Sequence, residues 1–167
     1  MRHSSCAALA VLLCCTAPAL AADIHVQDPV PFSESAYIAD NIKTECRMGA
    51  QLASALGSSA PAHGNRIVFD SAPVSPGSGR VLQLELVEAQ SAGNAFSGHF
   101  KSATARGVLF QDGQKVAAVT ARRTSRGGAF GGFKGSCDVL ERVVTAIGGD
   151  LAEWLANPTD NARLGDF

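Results

Sequence analysis

Aromatic residues are scarce in this sequence: one tryptophan, one tyrosine and eight phenylalanines among 167 residues. Single-stranded nucleic acid is usually held by bases stacking on aromatic side chains within a basic groove. Here only Phe100 flanks the basic segment, and at one end, so nucleic acid is not an expected partner. Histidine is also sparse. His25, His63 and His99 stand apart in the sequence, and no cluster has metal-ligand spacing. No serine lies in a nucleophile-elbow context, and no Cys-x-x-Cys pair is present. No catalytic residue, metal site or cofactor is therefore expected. Beyond the first twenty or so residues there is no apolar run of about twenty, the length a membrane-spanning helix needs.

The leader explains part of the composition. Met1-Arg2-His3 is followed by the apolar stretch Ala7 to Cys15 and then by Ala19-Leu20-Ala21. Charge, apolar segment and small-residue site, in that order, are the marks of a secretory signal peptide. Residues 1–21 are read as that peptide, and the working chain as starting near Ala22. The alternative is a lipid anchor on Cys14 or Cys15. It is disfavoured because Leu13 and Cys14, not small residues, precede those cysteines. The expected location is periplasmic or secreted.

Export leaves two of the five cysteines, Cys46 and Cys137. In an oxidising compartment an even pair is expected to form a disulfide, with two separate buried thiols as the alternative. Arg2 leaves with the leader, so the remaining Lys and Arg fall two short of the 15 Asp and Glu. The charge is segregated. From His99 to Ser136 the cations are Lys101, Arg106, Lys115, Arg122, Arg123, Arg126 and Lys134, against the single anion Asp112. Such asymmetry marks a face that meets anions.

Periodicity places the elements. Ser33 or Ser35 is expected to cap a helix running to about Leu56, with Ile38, Ile42, Cys46, Gly49, Leu52, Ala53 and Leu56 on its apolar side. Ile67-Val68-Phe69 reads as a short strand. Leu82, Leu84 and Leu86 alternate with polar residues in a second. His99 to Gln111 and Lys115 to Thr124 flank Asp112-Gly113, a tight hairpin turn. A last helix, capped by Ser136, buries Leu140, Val143, Val144, Ile147, Leu151, Trp154 and Leu155, with Gly148-Gly149 as a place of close helix packing. The expected fold class is α+β over residues 22–158: an antiparallel sheet of about four strands with two helices packed on one face. Residues 159–167 are expected to be a loose tail.

Residues 126–136 form a glycine-rich loop opening a helix, either a mobile connector whose Phe130 and Phe133 tuck against the sheet or a partner, or an anion or ligand contact. Gly131, Gly132, Lys134, Arg122, Arg123 and Arg126 are the candidate anion- or partner-binding residues, because backbone amides and a helix N-terminus can hold an anion. The phosphate-loop motif is absent: Phe133 precedes Lys134 and Gly135 follows it. Arg122 and Arg123 are adjacent on a strand and should point to opposite faces. Arg106 is expected to pair with a carboxylate.

One resemblance rests on Ser97-Gly98, the Asp112-Gly113 hairpin, Arg123-Thr124-Ser125-Arg126-Gly127-Gly128, Phe130-Gly131-Gly132 and Asp150-Leu151-Ala152-Glu153-Trp154-Leu155. From about Arg80 to Pro158 the chain resembles a family of bacterial envelope proteins, many of them lipoproteins, grouped as a domain of unknown function. The resemblance implies an α/β sandwich in the envelope and assigns no catalytic residues. The expected function is a non-enzymatic periplasmic binding or interaction protein. Its partner would be another envelope protein or an anionic envelope polymer, meeting the sheet face opposite the helices. The competing reading is a small secreted enzyme or enzyme inhibitor using the glycine loop, for which a polar cluster around His99 would speak.

Overall fold

The alternation in the leucine strand and the periodicity of the last helix meet in one core. A computed structural model describes residues 22–94, 98–126 and 135–167. The leader and residues 127–134 of the glycine loop lie outside them. The elements in chain order are strands β1 (Ala22–Gln27) and β2 (Phe32–Ile38), helices α1 (Asp40–Glu45) and α2 (Met48–Ser59), and a 3-10 turn, Ala60–His63. Then follow β3 (Asn65–Asp70), β4 (Arg80–Asn94), β5 (Gly98–Gln111), β6 (Gln114–Arg126), α3 (Ser136–Ala156) and β7 (Ala162–Gly165).

The fold is α+β, with more strands than expected. Seven strands form one sheet in the order β3-β1-β4-β5-β6-β7, with β2 also on β4. The sheet is mixed, not antiparallel. The β4-β5 and β5-β6 pairs are antiparallel, whereas β1-β3, β1-β4, β2-β4 and β6-β7 are parallel. β1 and β2 lie end to end along β4, interrupted by the cis Asp28-Pro29 bond.

Four further expectations change. Residues 33–38 are strand, not the first turns of a helix. The helix that follows is broken at Cys46 and Arg47, where Cys46 is extended (φ −102°, ψ 121°). The tail holds β7, which lies parallel on β6 with Val119 opposite Ala162 and Ala121 opposite Leu164. At the start of α3, Gly135 takes the cap position expected of Ser136.

The core lies between the sheet and the helices. Ile24, Val26, Leu82, Leu86 and Leu109 from the sheet meet Leu52 and Leu56 of α2 and Leu140, Val144, Ile147, Leu151 and Leu155 of α3, all essentially inaccessible. Ala103, Ala105, Ala117 and Ala121 line the middle strands beneath α3. Their small side chains leave room for the large ones of the helix, the interdigitation that dense packing requires. A bulge between Leu86 and Glu88 shifts the alternation of β4, so Ala89 returns to the core and Glu88 turns away. The hairpin turn is as expected, with Asp112 (φ 49°) and Gly113 (φ 81°) both left-handed.

The disulfide joins Cys46 to Cys137, with Cα atoms 5.1 Å apart. It ties the break between α1 and α2 to the first turn of α3. Among the described residues no helix is long and apolar enough to cross a membrane.

Candidate outer-face binding site

Among the described residues, the sheet has one face under the helices and one without helical cover. Side chains alternate between faces along each strand, so the burial of Ala103, Ala105 and Leu109 on β5 sends Thr104, Arg106 and Val108 outward. On β6 the buried set is Ala117, Val119 and Ala121, which sends Thr120 and Arg122 to the same outer face. On β7, Ala162 and Leu164 pack on the core and Arg163 faces outward. The cross-strand rows are then Glu85, Arg106, Thr120 and Arg163, and beside it Glu88, Thr104 and Arg122.

This arrangement disperses the basic segment. Arg123 points to the helix side, as its parity with Arg122 requires. Its Nε and Nη2 donate to the two oxygens of Asp150, at 2.7 and 2.6 Å, and Nη1 lies 3.5 Å from Asp166. The hydrogen bonds to Asp150 push its pKa above the ordinary arginine value. Arg123 is thus a strut between sheet and helix, not a free binding group. Lys115 pairs with Asp160 at 3.4 Å. Lys101 is buried on the helix side and donates to the Ser91 hydroxyl, which sits 3.2 Å from that of Ser136.

Arg122 is half-buried, and its Nε is enclosed without a hydrogen-bond partner among the described residues. Arg106 is exposed and, contrary to expectation, makes no ion pair with a carboxylate among the described residues, although Glu85 is its register partner on β4. Arg126 ends β6 opposite Phe100. Its side chain, together with Gly131, Gly132, Lys134 and the side chain of His99, lies outside the described residues.

Arg163 was missed by sequence reasoning. Its signal is short: Ala162-Arg163-Leu164 alternates apolar, charged, apolar, which is strand periodicity over three residues. The Phe167 ring lies 4.1 Å from its guanidinium carbon, a cation–π contact. His25, isolated in sequence, is also not alone. Pairing of β1 with β3 sets its Nδ1 2.8 Å from Asp70 Oδ2. Beside Arg106 the connector 71–79 folds over the outer face, where the Gln83 amide donates to the Val74 carbonyl at 3.0 Å. The gap between connector and sheet is an open cleft of about 370 Å³, lined by Pro31, Pro73, Val74, Gln83, Val108 and Arg106 among others. Among the described residues no group of three or more His, Cys, Asp or Glu is placed to hold a metal.

No family model matches the chain, and no curated protein sequence matches it. Solved structures do. The hypothetical protein CT253 from Chlamydia trachomatis is 13% identical, with a TM-score of 0.51 covering 83% of this chain and 100% of that one. A minor lipoprotein from Acinetobacter baumannii is 12% identical, with a TM-score of 0.45 over 81% of this chain and 92% of that one. The PelC dodecamer from Paraburkholderia phytofirmans is 13% identical, with a TM-score of 0.43 over 78% of this chain and 89% of that one. The latter two are looser likenesses. What the chain shares with the chlamydial hypothetical protein is its fold.

Proposed function

We propose that this is a non-enzymatic binding or interaction protein of the bacterial envelope, working outside the cytoplasm, and that the outer sheet face meets its partner. One observation carries the reading: Arg106, Arg122 and Arg163 share a face without helical cover, and no carboxylate holds them in an ion pair among the described residues. All fifteen acidic residues lie in the described segments. A partner carrying anionic groups supplies the missing countercharge. The Cys46–Cys137 disulfide supports the compartment, since such bonds persist where the surroundings are oxidising. A photo-crosslinking amino acid placed at Thr120, on the outer face, should trap envelope partners in intact cells. The same group at Ser58, exposed on α2, should trap none. Crosslinks from Ser58 alone would sink the proposal.

A further inference from the structure

We infer that Arg106, Arg122 and Arg163, with the cleft beside Arg106, form a binding site for an extended acidic peptide segment of a partner protein. The inference rests on the outer face being the contact surface and names what that surface takes. Thr120 sits at the centre of the three arginines. Arg106 is its register partner on β5, Arg163 its register partner on β7, and Arg122 lies two residues along β6 on the same face. Strands lie about 4.8 Å apart and same-face residues of one strand about 6.8 Å apart, so three cationic positions fall within about 10 Å of one another. Like charges this close repel. The Arg163 guanidinium carbon lies 4.1 Å from the Phe167 ring centroid, and a guanidinium stacked on a ring keeps its in-plane N–H donors for an acceptor. Among the described residues the enclosed Arg122 Nε has no acceptor.

Two features select the occupant. An extended peptide presents alternate carboxylates about 6.8 Å apart on one side, close enough to the roughly 8 Å diagonal between Arg122 and Arg163 for two long guanidinium side chains to reach both. The adjoining cleft has aliphatic walls in Pro31, Pro73, Val74 and Val108 and polar ones in Gln83 and Glu85, and none of the residues lining it is aromatic. It fits an apolar side chain and offers no aromatic platform for a sugar ring. The peptide therefore enters with an apolar residue beside Arg106 and lays its carboxylates toward Arg122 and Arg163.

The test is fluorescence anisotropy with a dye-labelled peptide in which one leucine is followed by alternating glutamate and serine. A matched peptide with glutamine for glutamate and an anionic polysaccharide, polygalacturonate, serve as competing probes. The glutamate peptide should bind, more weakly as salt rises, and the glutamine peptide should not. Arg106→Gln, Arg122→Gln and Arg163→Gln should each weaken it about tenfold, the size of one charged hydrogen bond. Arg142→Gln, exposed on α3, should leave it unchanged. Unchanged thermal midpoints exclude misfolding of the variants. Equal binding of both peptides, wild-type binding by all three variants, or binding of the polysaccharide without the peptide would each overturn the inference. Crosslinks from Thr120 that persist while the glutamate peptide fails to bind would leave the contact face standing and remove the acidic-peptide site. Loss of both would end both readings.

Discussion

Gly148 and Gly149 are neighbours in α3, yet their surroundings differ. A Cβ on Gly148 would lie 2.6 Å from the Ala55 Cβ and 2.8 Å from the Leu56 amide nitrogen, whereas one on Gly149 would meet nothing within 4 Å. The missing side chain at 148 is what lets α3 press against α2. Gly148→Ala should therefore destabilise by about 2 kcal/mol through overpacking. Gly149→Ala should stabilise by about 1 kcal/mol through helix propensity. Equilibrium denaturation with guanidinium separates the two, and equal effects would show that the contact at 148 does not matter. The sequence marked the pair as a close approach but could not say which member makes it, because that depends on where α2 docks. Arg122 and Arg123 teach the same lesson. Alternation foretold that they part ways, but the partners of Arg123, Asp150 and Asp166, come from elements 27 and more residues away.

At the scale of elements, β7 is four residues long and pinned by side chains at both ends. Asp160 Oδ1 accepts from the Ala118 backbone N–H, and Asp166 Oδ2 from that of Thr124, both at 2.8 Å. Each carboxylate replaces a strand carbonyl on the edge of β6. These backbone hydrogen bonds are the main reason both carboxyls titrate below the ordinary aspartate value. A lowered folded-state pKa gives stability that is present above the unfolded value of about 3.9 and lost as pH falls through the folded one. Acidification below about pH 4 should release β7 before the rest of the sheet. Amide protection by NMR, corrected for intrinsic exchange, should fall first at Ala162 to Gly165. Protection there that lasts until global unfolding would refute it. β2 failed in the opposite direction. Phe32 to Ile38 carries Ser, Glu and Ala, which suit a helix, and the positions marked apolar from Ile38 to Leu56 are indeed buried. Apart from Cys46 at the break, they belong to three elements, not one. Pairing of Phe32 with Leu86 and of Ile38 with Ala89 overrides local propensity.

For the molecule as a whole, local signals determined the antiparallel part of the sheet. Asp112-Gly113 joins β5 and β6, and their alternation sets the register. The parallel pairs join segments far apart in the chain, and periodicity carries no information on which strands become neighbours. The outer face was therefore half legible: Arg122 was named, Arg106 was given a carboxylate it does not have, and Arg163 was assigned to a tail. The disulfide was legible from compartment and parity alone. Closing a loop with a sequence separation of 91 should contribute about 4.6 kcal/mol in the chain-entropy description. Reductant, or paired Cys46→Ala and Cys137→Ala substitutions, should lower the thermal midpoint by about 10–15 °C. An unchanged midpoint would show that the link adds nothing to a core already packed.

That covalent loop also divides the molecule mechanically. The stretch from Cys46 to Cys137 contains α2 and β3 to β6, while β1, β2 and β7 lie outside it. Under tension applied through the two termini, the force passes across the sulfur–sulfur bridge and bypasses the central hairpin. The oxidised chain should therefore extend only by its outer arms, and reduction should release roughly 300 Å more contour length in a single-molecule stretching trace.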